Sequence, residues 1–312
     1  MAMRFRQAQI AGRQAVASLL PHEGGEGRRL LSLPWQTVIG VTAFTAMSTF
    51  WVLLIVPGAI AMDALIYRAG AAELIGGDPW AASQQNMYFA APPLEAFAFL
   101  PAALLPVPVF VAVWVGLSVV GGIVIVRRLS LPVWWLLYPP LVAGMIGGNP
   151  ALLGMAAVVG GWRLLGVILR PQLILVVGWR VAAVFVALSL AAIAVRPDFL
   201  TGLGANIARY QEQSGVPINF WMSPLMVPAI VGLALLWRVD RHAASWLVMP
   251  AIGPTIGWYG FTMVMPIRSL PLAIACILPT PGLGAAAITV YAFWRWWTLR
   301  DAVASDRAPV ET

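Results

Sequence analysis

Asp63 stands where the first long apolar segment of the chain ends. It opens the run Met62-Asp63-Ala64-Leu65-Ile66-Tyr67-Arg68-Ala69-Gly70, which continues to Gly76-Gly77-Asp78-Pro79-Trp80. A carboxylate at the edge of an apolar span is costly unless it is solvated or paired, so a lone acid there invites a catalytic reading. Held ionised, it can take the proton of a bound hydroxyl. A structural role competes, in which Asp63 caps a short helix over residues 64–75 that Gly76 terminates. The two roles are compatible, because a capping carboxylate stays ionised. Glu73 and Asp78 read as solvated loop charges. Glu95 follows Pro92-Pro93 at the lip of the next apolar run, where it either positions a substrate hydroxyl or pairs with Arg68, Arg209 or Arg268.

Arg68, Arg209 and Arg268 are expected on the same side as Asp63, where a guanidinium can bind a phosphate and stabilise the charge left on a leaving group. Snorkelling to anchor the membrane interface is the competing role for each. The aromatics nearby, Tyr67, Trp80, Tyr88, Phe220, Trp221, Trp258 and Tyr259, could form a sugar-binding platform. Trp and Tyr also gather at membrane interfaces in every class of membrane protein, so their number alone does not indicate carbohydrate. His22 and His242 are the only histidines and both sit in basic segments; no Asp-x-Asp pair is present, so no metal site is expected. No phosphate-cradling Gly-x-x-x-x-Gly-Lys occurs, which argues against an ATP-driven pump.

These residues have to be positioned by membrane helices. Of 312 residues, 61% are hydrophobic and 10% charged, and the mean hydropathy is +0.85. This composition leaves room for roughly eight to ten spans of ~20 residues and for no sizeable soluble domain. The predicted fold class is all-α, a polytopic transmembrane helical bundle in one domain with amphipathic interfacial helices in the outer loops. The net charge of +7 is carried by arginine, since Lys is absent. Arginine clusters of this kind orient a membrane protein, whereas a nucleic-acid binder would gather them on one soluble face. Cys276 is the single cysteine and cannot form an intramolecular disulfide.

Arg4, Arg6, Arg13, Arg28 and Arg29 place residues 1–36 in the cytoplasm ahead of a span from about residue 37 to 61. Ala59-Ile60-Ala61 resembles a signal-peptide cleavage site, but the basic lead and the span are both too long for one. Residues 62–92 form a first outer loop. Residues 93–126, with Pro101, Pro106 and Pro108, are either a hairpin of two short helices or one long helix bent at its prolines. The second reading leaves Arg127 and Arg128 inside. Further spans are expected over 131–147, 151–169 and 173–195, with Arg163, Arg170 and Arg180 near the inner side. Phe199, Leu203, Ile207 and Tyr210 recur at helical spacing in a second outer loop, 196–222, and predict an interfacial helix. Spans over 222–237 and 243–265 flank an inner loop, and residues 267–297 are broken by Pro279 and Pro281 ahead of a cytoplasmic tail over 298–312.

The run from Asp63 through Tyr67 and Gly77-Asp78-Pro79-Trp80 to Tyr88-Phe89-Ala90-Ala91-Pro92-Pro93 resembles the first outer loop of the C-type glycosyltransferases. The likeness is nearest to the polyprenol-phosphate-sugar-dependent enzymes of glycosyltransferase family 87. Pro139-Pro140 followed by Gly147-Gly148-Asn149-Pro150 looks like that family's Gly-Gln/Asn segment, and Arg170-Pro171-Gln172 looks like its Lys-Pro element with Arg for Lys. Asn219-Phe220-Trp221-Met222-Ser223 is loosely similar to a later outer-loop Asn-Gln-Ser segment. Trp258-Tyr259-Gly260-Phe261 occupies the place of a Trp-x-His-Tyr or His-His sequence but carries no histidine; if that histidine binds the donor phosphate, either Arg268 substitutes for it, or the donor differs or activity is reduced.

The resemblance implies transfer of one sugar, mannose or a pentose, from a polyprenyl-phosphate donor to a glycolipid or polysaccharide acceptor. Transfer would invert the anomeric centre, at the outer face of the bacterial inner membrane, without metal or other cofactor. Asp63 would be the base, Arg68, Arg209 and Arg268 the phosphate ligands, and Tyr67, Tyr88, Glu95, Trp258 and Tyr259 the sugar and acceptor contacts. The expected partners are these substrates and membrane lipid, with no nucleic acid. The alternatives are a transporter or polyprenol-carrier flippase, which would place ionisable residues in mid-membrane, and a degenerate scaffold of the same fold.

Overall fold

The computed structural model describes residues 34–55, 60–74, 77–84, 87–214, 220, 223–253, 258–278, 280 and 282–305. The expectations on the N-terminal arginines, Ala59, Gly76, Asn219, Trp221, Met222, Pro279, Pro281 and residues 306–312 lie outside the described residues. The chain divides into units of residues 1–38 and 39–312. Of the first, Pro34 and the opening turn of a helix are described.

That helix, α1 (Trp35–Ile55), contains no charged residue. Residues 62–92, expected as a connection with a short helix over 64–75, hold a helix α2 (Met62–Ala72), a 3₁₀ turn (Pro79–Ala81) and a short antiparallel hairpin. In the hairpin, β1 (Ser83–Gln84) pairs with β2 (Met87–Tyr88), with Ser83 opposite Tyr88. Two short helices follow, α3 (Pro93–Ala98) and α4 (Leu100–Ala103), before the long α5 (Val107–Arg128). Neither reading of residues 93–126 describes this arrangement. Pro106 is the cap and Pro108 lies in the first turn of α5, where a proline's missing N–H costs nothing. The prolines begin this long helix rather than bend it, and Arg127 and Arg128 close its last turn.

The expected spans over 131–147 and 151–169 are also different. After a 3₁₀ stretch (Val133–Leu137) come α6 (Pro139–Gly147) and α7 (Pro150–Val159), which meet at 115°. Gly148 between them has φ +67, and a Cβ there would lie 2.9 Å from the Trp114 ring and 3.0 Å from Ala64. A non-glycine residue would be strained and crowded at once. The chain continues through α8 (Arg163–Leu169), a 3₁₀ stretch (Pro171–Val176) and α9 (Trp179–Val195). Next comes α10 (Phe199–Ser214), the helix that the apolar spacing predicted. The remaining elements are α11 (Met226–Val239), α12 (Arg241–Ile252), a 3₁₀ stretch (Trp258–Ile267), α13 (Leu270–Ala275) and α14 (Leu283–Ser305).

Among the described residues, two helices, α1 and α5, are long and apolar enough to cross a membrane. The number rises to four if each bent pair, α6–α7 and α9–α10, is one span. The apolar runs that suggested eight to ten spans are cut by Pro and Gly into shorter pieces. The nine residues of α6 rise only about 14 Å, less than half the thickness of a bilayer core. One core gathers Phe44, Tyr138, Leu152, Met155, Leu173 and Met263 from α1, α7 and the 3₁₀ stretches. A second joins Trp51, Leu236, Leu247, Trp258 and Phe261. A third, of Ile66, Trp80, Phe89, Ala96 and Phe199, packs α2 on the hairpin and α10.

Candidate functional site

Asp63 lies in the first turn of α2, but the helix is not capped by it. The cap position is Ala61, in the left-handed region at φ 54, and its amide donates to Ile146 O at 2.8 Å. This bond ties the start of α2 to the end of α6, and Asp63 turns its carboxylate toward the α6–α7 bend. There the Asn149 side-chain amide donates to Asp63 Oδ2 at 2.8 Å. Asn149 Oδ1 accepts from the Ala151 amide at 2.8 Å, capping α7. Since a backbone N–H can only donate, Asn149 must present its oxygen to Ala151 and its NH₂ to Asp63. The bend leaves no side chain at Gly147, where even a Cβ would sit 3.7 Å from Asp63 Oδ2.

Glu95 reaches the same region from the first turn of α3. It is 1% exposed, and Tyr67, one turn along α2 from Asp63, hydrogen-bonds its carboxyl. The other oxygen, Oε1, has no partner. Tyr67 is held by Phe99 and Phe89, with ring centroids 4.9 and 5.8 Å away.

The cation among these groups is Arg170, at the end of α8. It is 4% exposed, and its charge acts on Tyr67, Glu95, Tyr259 and Asp63. Arg170, expected at or near the inner side, thus shares one cluster with Asp63, expected at the outer side, so the two cannot lie on opposite faces. The 115° bend between α6 and α7 and the short α8 that follows return the chain to Asp63. The approach of α8 to α7 depends on two glycines. A Cβ on Gly154 would come 2.8 Å from Arg170 Cβ and 2.9 Å from Gly166 O, and one on Gly166 would come 2.6 Å from Gly154 O. Arg170 Nε and Nη2 are buried without a hydrogen-bond partner, as is Gln172 Oε1 nearby. Buried guanidinium N–H groups without acceptors are expensive, and a site that tolerates them is suited to an anion.

Burial pushes the Asp63 carboxyl up to about 6, against the opposing pull of the Asn149 hydrogen bond and the Arg170 charge. Glu95 is pushed further, to about 8, by the same loss of solvent, opposed by Arg170 and the Tyr67 hydrogen bond. Glu95 therefore takes a proton before Asp63 does. At neutral pH the cluster tends toward an ionised Asp63, a protonated Glu95 and a charged Arg170. Asp63 itself keeps part of its surface accessible, as a base that must meet a substrate requires.

Of the residues expected at the site, Asp63, Tyr67, Glu95 and Tyr259 are brought together. The others are not. Arg68 donates to Leu105 O at 2.8 Å and to Ala103 O at 3.4 Å, fastening the turn after α4. Arg209 donates to Asn206 Oδ1 at 3.1 Å and stands 5.4 Å from the Tyr88 ring, so these two form a separate pair. Asn206 fastens that region by donating to Phe89 O at 2.6 Å and Trp80 O at 3.0 Å. Trp258 is buried, its indole donating to Cys276 O at 3.2 Å and packing on Trp51. Arg268 is exposed and follows Pro266, which lines a cavity with Arg128, Arg163 and His242. The site residues not singled out from sequence are Arg170 and Asn149. Both lie in segments quoted for the family resemblance, which was the available signal. Among the described residues, no three His, Cys, Asp or Glu side chains form a potential metal cage. No protein-family model matches the chain, and neither a characterised protein nor a solved structure is significantly similar to it.

Proposed function

We propose that the protein is a polytopic membrane glycosyltransferase of the C-type kind, with more spans than the two to four long apolar helices and an active site at the outer face of a bacterial inner membrane. It transfers one sugar, mannose or a pentose, from a polyprenyl-phosphate donor to a glycolipid or polysaccharide acceptor. The observation that carries the reading is the convergence of Asp63, a carboxylate held near neutral pH, with Arg170, a buried guanidinium with two unpartnered N–H groups. A base and a phosphate ligand are the two parts that metal-free displacement of a lipid phosphate requires.

In this mechanism the acceptor hydroxyl gives its proton to Asp63 as its oxygen bonds to the anomeric carbon. The bond from that carbon to the phosphate oxygen breaks, its electron pair leaves with polyprenyl phosphate, and Arg170 stabilises the charge. Arg170 replaces Arg268 as the residue answering for the missing family histidine. Tyr67, Glu95 and Tyr259 bind the sugar or acceptor. The test is transfer of sugar from a polyprenyl-phosphate donor into membrane acceptors by purified protein. Asp63→Asn should lose about 10²–10⁴-fold, while Glu73→Gln, at the exposed end of α2, should keep most activity. Wild-type transfer rates in Asp63→Asn would remove the mechanism.

The burial of two acids and an arginine in one cluster favours a second reading, a proton-coupled carrier of an anionic lipid or solute. Proteoliposomes that translocate a polyprenyl phosphate but never cleave its sugar would select it.

A further inference from the structure

A second polar feature lies apart from the Asp63 cluster and owes nothing to the reading above. An open cavity of about 350 Å³ lies between the last turn of α5, the end of α7, the start of α8, the first turns of α12 and the 3₁₀ stretches that carry Leu175 and Pro266. Its polar lining is Arg128, Arg163, His242 and Ser245, with Trp246 and Val158 among its apolar walls. No acid lines it. Among the described residues the ion pairs are Arg196 with Asp198 and Arg295 with Asp240, so neither Arg128 nor Arg163 is neutralised by one. His242 meets only the edge of Trp246 in a ring contact, at 6.4 Å.

Orientation of the chain explains why arginines collect at one end of α5, but not why arginines from two separate helices and a histidine from a third line one small space. Both guanidiniums are exposed, so water screens their mutual repulsion, and an anion between them would remove what remains of it. The volume is at the lower end of small-ligand pockets, and apolar walls beside the cations suit a group that carries a hydrocarbon or glycerol portion. Arg127, the neighbouring residue, is exposed as Arg128 and Arg163 are but does not line the cavity.

We propose that this cavity is a binding site for a phosphate ester, held by Arg128 and Arg163 with His242 and Ser245 as further polar contacts. The phosphate comes either from an anionic lipid headgroup or from a free phosphate compound. Forked N–H donation to phosphate oxygens is what arginine supplies and a dispersed surface charge does not.

The test uses the full-length protein in detergent, titrated calorimetrically with short-chain phosphatidylglycerol, short-chain phosphatidylcholine and inorganic phosphate. Wild type should bind the anionic lipid at least tenfold more tightly than the zwitterionic one. The Arg128→Gln/Arg163→Gln double variant should weaken that binding at least tenfold, while Arg127→Gln should change it less than twofold. Inorganic phosphate that displaces the lipid at comparable concentration identifies a free phosphate compound as the ligand; failure to displace it identifies the lipid headgroup. If the double variant does not fold as wild type, Ser245→Trp, which fills the cavity and keeps every cation, should abolish binding. Equal weakening by Arg127→Gln, or undiminished binding in the filled or double variant, overturns the proposal in favour of a diffuse basic surface.

Discussion

Replacement of Asn149 by Ser isolates one cause of the Asp63 pKa. Serine keeps an oxygen that can cap α7 through the Ala151 amide, so the bend should survive. What is lost is the 2.8 Å N–H donation to Asp63 Oδ2. That bond lowers the Asp63 pKa, working against desolvation. A hydrogen bond to a charged group contributes about 1.5–3 kcal/mol, and 1.36 kcal/mol corresponds to one pK unit. Its removal should raise Asp63 from about 6 by roughly one to two pK units. A base works only when deprotonated, so the acid limb of kcat/KM for sugar transfer should move to higher pH by that amount. At about pH 6 the variant should be roughly 5–50-fold slower than wild type, and at about pH 9 the two should agree within about twofold. The assay is transfer from polyprenyl-phosphate sugar across the pH range, with the melting temperature checked at each pH. A loss of equal size at every pH would mean that Asn149 only supports the fold. An unmoved acid limb would mean that Asp63 is not the titrating base.

The same cluster predicts the behaviour of its other members. Arg170→Met should reduce transfer at least ~10²-fold through lost stabilisation of the leaving phosphate, whereas Arg170→Lys should retain a fraction, with KM for the donor raised more than kcat is lowered; steady-state kinetics on both variants decide this, and an unchanged Arg170→Met enzyme refutes the phosphate role. Glu95 has a folded-state pKa near 8, above its ordinary 4.5, so the folded protein holds an extra proton between those values and Glu95 makes stability fall as pH rises through that window. Glu95→Gln should therefore melt close to wild type near about pH 4.5 and above it near about pH 8.5, and thermal unfolding showing a gap that does not widen with pH would refute the assignment. Gly154→Val should destabilise by roughly 1–3 kcal/mol through overpacking against α8 and should lower activity by displacing Arg170; a variant with wild-type melting and transfer would show that the α7–α8 approach is not needed.

Local chemistry in the sequence drew attention to Asp63 and Glu95, because an acid beside an apolar run is conspicuous whatever the tertiary fold, whereas Tyr67 and Tyr259 stood among several outer-loop aromatics that it could not rank. Hydrophobic content determined an apolar helical protein, and the spacing of Phe199, Leu203 and Ile207 determined α10. The number of membrane crossings was not legible in this way. A proline reads alike whether it starts a helix, as Pro106 and Pro108 do for α5, or bends one, and the 115° turn between α6 and α7 depends on what packs around Gly148. That turn decided the site. It brings Asn149 to Asp63, and the close passage of Gly154 and Gly166 delivers Arg170, while Arg68, Arg209 and Arg268 are spent or exposed elsewhere. Arginine distribution along a sequence reports which side of the membrane a loop tends to occupy. Which guanidinium reaches a given carboxylate is a matter of long-range packing between segments that carry no mutual signal in one chain.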